Sequence, residues 1–451
     1  MKTILSSRRH HYLVMASIFL IVVALTAGMV GCDGDGESYA LAITSTAAGN
    51  VTTPGEGMFV YDADTVVDLV ATSNAGYCFV NWTGDVDTIA SVNAAATNIT
   101  VNGHYLITAN FGLFAGGDGT AEYPYRIADW WCLNNARDYL SSHFIVINDL
   151  DSNSAGYIEL ASPTANQGKG WEPIGTLLDG KFVGAFDGQG YEICDLFINR
   201  PDEREVGLFG AVGSGGVIQN TGVVNVDVTG SHDVGGLMGA NAEGGTLSNS
   251  YATGSVTGGG AVGGLVGWND GTVSHSYSTS GVTGGNEVGG LVGENERGTV
   301  NNSYATGNVS GTNGVGGLIG MNTDGTLSNS YATGNVIASR WFVGGLVGWN
   351  DEDSHVINSY STGSVTGDDY VGGLAGENDG IITYSFWDTE TSGQAAPDGG
   401  TGKTTAEMQD VTTFLEATWL IVAVASPDTR NPSYIWNIVD GETYPFLSWE
   451  P

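Results

Sequence analysis

The chain has 451 residues, of which 49 are acidic and only 13 basic, for a formal charge of −36. That balance excludes nucleic acid as a partner, because phosphate backbones are held by Lys and Arg. It fits a long surface protein kept soluble by its own charge, a saline habitat, or carboxylates offered to calcium, and the length calls for at least two folding units.

Lys2, Arg8 and Arg9, an apolar run from Leu13 to Leu25 and small residues up to Gly31 and Cys32 have the layout of a secretion signal over residues 1–31. The alternative is an uncleaved anchor from Tyr12 to Val30, close to the roughly 20 apolar residues that a spanning helix needs. Met29, Val30, Gly31 and Cys32 resemble the bacterial lipobox. That resemblance implies lipidation of Cys32 and attachment to a membrane through acyl chains, each buried methylene adding ~0.8 kcal/mol. Loss of residues 1–31 removes three basic residues and no acidic one, which takes the charge from −36 to −39. Residues 32–38 read as an acidic, Gly-rich tether. The expected location is therefore the cell surface or the periplasmic face of an envelope, not the cytoplasm.

Past Cys32 only Cys78, Cys132 and Cys194 remain. An odd, scattered set gives no disulfide framework, so all three are read as small buried apolar residues.

Residues 39–112 alternate β-prone runs (Thr65–Ala71, Tyr77–Trp82 and His104–Phe111) with Gly, Asn and Pro, the pattern of a small all-β domain. Gly76, Tyr77, Phe79, Trp82 and the closing Thr108, Ala109, Asn110 and Phe111 resemble the divergent internalin B-type repeat, which implies a spacer or adhesion module without catalysis. A plain stalk is the alternative.

Internal repetition dominates the rest. Val-Gly-Gly-Leu begins at Val234, Val262, Val288, Val315, Val343 and Val371, at spacings of 28, 26, 27, 28 and 28 residues, with a degenerate copy at Val206. Each unit adds an Asn (241, 269, 295, 322, 350, 378) and a Ser-Tyr pair, replaced by Ser-Phe386 in the last. No run reaches helical length, so the period predicts a right-handed parallel β-helix with one unit per coil and three short strands in each. Leu237, Leu265, Leu291, Leu318, Leu346 and Leu374 form an inward stack, the tyrosines a second stack, and Asn241, Asn269, Asn295, Asn322, Asn350 and Asn378 a ladder of bonded amides. Ordering one unit costs roughly 27–54 kcal/mol of backbone entropy, while a buried Leu returns about 1.5–3, so a lone coil does not fold.

The tetrads with their Asn and Ser-Tyr elements resemble the GLUG motif, as in Gly264, Leu265, Val266 and Gly267. The resemblance implies an all-β chain: the small β domain, then residues 113–205 as N-terminal cap and first coils, 206–390 as the GLUG repeat β-helix, and 391–451 as a segment closing the far end. Asp129 is placed to cap a short helix bearing Leu133, Ala136 and Leu140, a plug for the first coil.

No catalytic constellation stands out. The motif's relatives occur beside metalloproteases, yet no pair of His four apart with an intervening Glu exists; His104, His143, His232, His275 and His355 are solitary. Asp368 and Asp369 alternate to opposite strand faces, and Gly402, Lys403 and Thr404 have Pro397 where a phosphate loop needs Gly. Corner acids Asp270, Asp324, Asp351, Asp353 and Asp379 offer calcium oxygen ligands, but at varying offsets. Trp268 and Trp349 are the candidate ligand-binding residues, able to stack on sugars or anchor a protein partner. The function expected is adhesion or binding of a glycan or protein without catalysis. The alternatives are a structural stalk and a polysaccharide-acting enzyme.

Overall fold

The computed structural model describes residues 37–395 and 399–450. The signal segment 1–31 and the proposed lipidation site Cys32 lie outside the described residues.

The first unit packs two small sheets. One has strands in the order Gly57–Asp62, Ser38–Ser45, Tyr105–Gly112 and Cys78–Gly84; the other joins Gly49–Thr53, Thr65–Ser73 and Ala96–Val101. Strict alternation explains the pairing: Val67, Leu69 and Ala71 are buried while Val66, Asp68 and Thr72 face solvent. Leu41, Leu69, Ile99 and Ile107 meet around Trp82, whose indole N–H donates to Ala94 O at 3.0 Å. Phe79 and Trp82 pack in this core, while Tyr77 of the same motif is 38% exposed.

The second unit is a parallel β-solenoid, built from a 10-stranded sheet, a 14-stranded sheet and two 7-stranded sheets. Each repeat therefore contributes to four sheets, not three. In the coil that starts at His232 the strands are His232–Gly235, Met238–Asn241, Thr246–Ser248 and Tyr251–Thr257. Gly236-Leu237 turns the chain between the first two, so the stretch around the tetrad is split over two sheets.

Identical residues stack in register from coil to coil. Val234 pairs with Val262, Val288 follows, and the six tetrad leucines are no more than 1% exposed. The ladder asparagines bond in series, each Nδ2 donating to the Oδ1 one coil further on at 2.6–2.8 Å. Val212 stands opposite Asn241 on the preceding coil, so the Asn241 Oδ1 at the head of the ladder has no donor. A second buried ladder runs through Ser250, Ser276, Ser303, Ser330, Ser359 and Ser385. Each of the first five gives its backbone N–H to the next serine's Oγ at 3.1–3.2 Å, and all six hydroxyls donate to the carbonyl two residues back. These bonds satisfy buried corner groups that would otherwise cost ~1–3 kcal/mol each.

The helix Trp130–Asn135 sits beside the end strand Tyr125–Ile127, with the Asp129 carboxylate accepting from Cys132 N at 2.9 Å. Trp130 and Leu133 are fully buried in the solenoid core, while Leu140 lies beyond the helix. Cys132 is bonded to Cys78, which ties the two units together and corrects the reading of both cysteines as isolated apolar residues; Cys194 is free. The pair lies 54 residues apart and in different units, so spacing alone did not reveal it.

The C-terminal segment closes the end with only a few residues. Thr401–Lys403 pairs with Phe386–Asp388, and Trp387 fills the last coil. The remainder, from the helix Thr405–Met408 onward, packs along the outer flank of the solenoid on the tyrosine stack. Rings of Tyr251, Tyr277, Tyr304, Tyr331 and Tyr360 lie 4.8–5.0 Å apart within 5° of parallel. Met408, Phe414, Trp419 and Trp436 cover its later rungs.

Candidate functional site: the glycine seam and its aromatic stripe

The seam between the two 7-stranded sheets is made by glycine. A Cβ on Gly267, Gly293 or Gly320 would lie 2.3 Å from the backbone nitrogen of Val234, Val262 or Val288 on the preceding coil. These glycines are needed for close approach of two backbones rather than for an unusual φ. The seam brings two outward ladders side by side. One is the residue before each tetrad: Asp233, Ala261, Glu287, Gly314, Phe342 and Tyr370. Apart from Gly314, which has the same conformation, these are non-glycine residues held at φ between 46° and 60°. The other is the residue before each ladder asparagine, in the register Ala240, Trp268, Glu294, Met321, Trp349, Glu377.

Trp268 and Trp349 thus share one ladder, three coils or about 14 Å apart at ~4.8 Å per coil. Both are half-buried, and each indole N–H is held by an acid: Trp268 on Glu296 at 3.0 Å, Trp349 on Asp379 at 3.1 Å. Their surroundings differ. Trp349 stacks with Phe342 at 5.5 Å, and Phe342 meets Tyr370 at 5.2 Å, with Trp341 next in sequence. Trp341 and Tyr370 are 48% and 54% exposed. The constant tetrad carries no sign of these three partners, which stand at the variable positions one and two residues before it.

Between the two tryptophans lies an acidic stretch. Burial, reinforced by Glu287, Glu296 and Asp233, pushes the Glu294 carboxyl up to about 7, and burial raises Glu287 as well. The corner acids do not converge on a common point: Asp270 pairs with Arg297 at 3.0 Å, and Asp379 is engaged by Trp349. Among the described residues, the one group that gathers three potential metal-ligand atoms is Cys78, Asp129 and Cys132, two of them already bonded to each other. Asp129 there is a helix cap, raised to about 6 by burial.

Comparison with known proteins agrees with this architecture. Residues 39–113 match the divergent InlB B-repeat domain, and residues 284–310, 311–337 and 342–366 match the GLUG motif. The chain is thus a divergent InlB B-repeat domain followed by a β-solenoid that carries GLUG repeats. Over 257 residues, 55% of the chain, it is 33% identical to Halomucin of Haloquadratum walsbyi. Over 128 residues, 28% of the chain, it is 38% identical to a protein of Evansella cellulosilytica described as a Gly-rich membrane protein. The matched regions span only 2% and 14% of those relatives. Two solved structures are similar in outline. One from Bacteroides ovatus, described as an immunoglobulin A1 protease, has a TM-score of 0.48 at 22% identity, covering 75% of this chain and 96% of its own. The other, an IgA1 protease, has a TM-score of 0.44 at 14% identity, covering 90% and 31%. Among the described residues no helix is long and apolar enough to cross a membrane.

Proposed function

We propose that the chain is a lipid-anchored protein of the cell surface or envelope that displays its GLUG solenoid for adhesion or ligand binding, without catalysis. Cys32 is the anchoring residue. Relatives named as a halomucin and a membrane protein support a surface location. One observation carries the binding role: a stripe of aromatic side chains left open along the glycine seam, on a scaffold whose other large side chains are mostly packed away. Rigid rings on a rigid stack lose little freedom on binding, which favours recognition. The test is treatment of intact cells with protease or with an antibody against residues 113–451, beside permeabilised cells. Cleavage or labelling of intact cells is expected; protection until permeabilisation overturns the surface reading.

A second reading, a polysaccharide-acting enzyme, is favoured by Glu294 alone, a carboxyl that burial raises to about 7 on the ladder between the two tryptophans, as a general acid requires. Release of oligosaccharides from polysaccharide, abolished by Glu294→Gln, would establish it.

A further inference from the structure

We infer that the ring cluster of Phe342, Trp349 and Tyr370, with the exposed Trp341 next to it in sequence, is a stacking platform for an uncharged glycan chain lying along the solenoid axis. This rests on the binding role proposed above and names its ligand class.

Three independent observations lead here. First, apolar exposure returns only in the late coils: among the described residues, no large hydrophobic residue between Tyr191 and Ile337 is exposed, whereas Ile337, Trp341, Tyr370, Ile381 and Tyr384 are about half open, and of these Trp341 and Tyr370 stand on adjacent coils beside the seam. Second, every coil holds the residue before its tetrad in the left-handed region, as Asp233, Ala261, Glu287 and Gly314 in the earlier coils, and the last two coils fill that position with the rings of Phe342 and Tyr370 at φ 60° and 53°. A bulky side chain is costly there, and the preceding coil meets the same turn with glycine. Third, polar groups rim the rings. Asp369 stands opposite Trp341 in the strand register, Asp379 holds the Trp349 indole, and Arg340 and Asp368 are exposed beside them. Apolar ring faces bordered by carboxylates and a guanidinium match a pyranose, which is apolar on its C–H face and rich in hydroxyls at its edge.

The geometry also selects against other ligands. Phe342 packs against both Trp349 and Tyr370, so the rings lean on one another and do not surround a space for an ammonium group. A chain at −36 repels an acidic polysaccharide. The coil rise of ~4.8 Å is close to the length of one sugar unit, so rings on neighbouring coils meet neighbouring sugars.

The experiment titrates the full-length chain in detergent with cellohexaose, mannohexaose and chitohexaose, with hexagalacturonate and choline as charged controls. Heat and tryptophan fluorescence are the readouts. At least one neutral hexasaccharide is expected to bind. Trp341→Ala and Tyr370→Ala each weaken it about tenfold, the value of one lost ring contact. Tyr370→Phe keeps the affinity, as does Ile337→Ala, an exposed apolar residue on another sheet, and an unchanged thermal midpoint shows that each variant is folded. No binding of any neutral hexasaccharide, equal binding by the Trp341 and Tyr370 variants, or equally strong binding of hexagalacturonate or choline overturns the inference. Cells labelled from outside despite such a failure leave the surface reading intact, while binding by a chain shielded on intact cells upholds the glycan site and removes the surface location.

Discussion

The solenoid carries aromatic rings on two flanks, and the two have opposite fates. On one, tyrosines repeat coil after coil, stack face to face at 4.8–5.0 Å and are roofed at their later rungs by the C-terminal segment, so that Tyr331 and Tyr360 are 6% and 1% exposed. On the other, the ladder through Trp268 and Trp349 changes residue at almost every rung, and beside its last rungs Trp341 and Tyr370 remain open. Repetition with a cover is how the chain builds structure. Variation without one marks the face available to a ligand.

The contrast can be broken first at the roof. Trp436 is fully buried, 5.8 Å from Tyr360 and 4.9 Å from Trp419. Trp436→Ala is expected to cost about 3–5 kcal/mol of the segment's docking, seen as rapid proteolysis within residues 404–450 while the coils resist. Next comes a ladder rung. Asn295→Ala removes the donor to Asn322 and the acceptor for Asn269, a loss of about 1–3 kcal/mol in equilibrium unfolding, with no effect on ligand binding.

The ladder was readable in the sequence because an inward residue has no freedom to vary: volume and hydrogen bonding repeat with the coil, so Leu291 and Asn295 recur at fixed phase. The seam was not, because its glycines act on the neighbouring coil and the positions beside them change residue from rung to rung. Nothing in the C-terminal sequence says which apolar surface it covers, and its seat on the tyrosine flank depends on rings that point out of the core, a direction the repeat alone does not fix.

A smaller effect follows from acidity. Burial raises both Glu294 and Glu450 to about 7 from an ordinary 4.5; Glu450 lies under the roof, where it accepts from Tyr331 at 3.1 Å. Between those values the folded chain holds protons that the unfolded chain has released, so stability falls as pH rises through that window and levels off above it. The thermal midpoint should be higher at about pH 5 than at about pH 8, and Glu450→Gln should flatten part of that slope. Smallest of all is Trp341→Ala, expected to change stability by no more than about 0.5 kcal/mol because its ring leans on little. A large loss there would mean that the open flank is structural after all.

Hydroxyl-radical footprinting of the full-length chain tests the contrast most directly. Trp341 and Tyr370 should oxidise readily and become protected when a neutral hexasaccharide is added, while Tyr331 and Tyr360 stay unmodified throughout. Oxidation of Tyr331 and Tyr360 as fast as that of Tyr370 would contradict the account, since the two flanks would then be equally open.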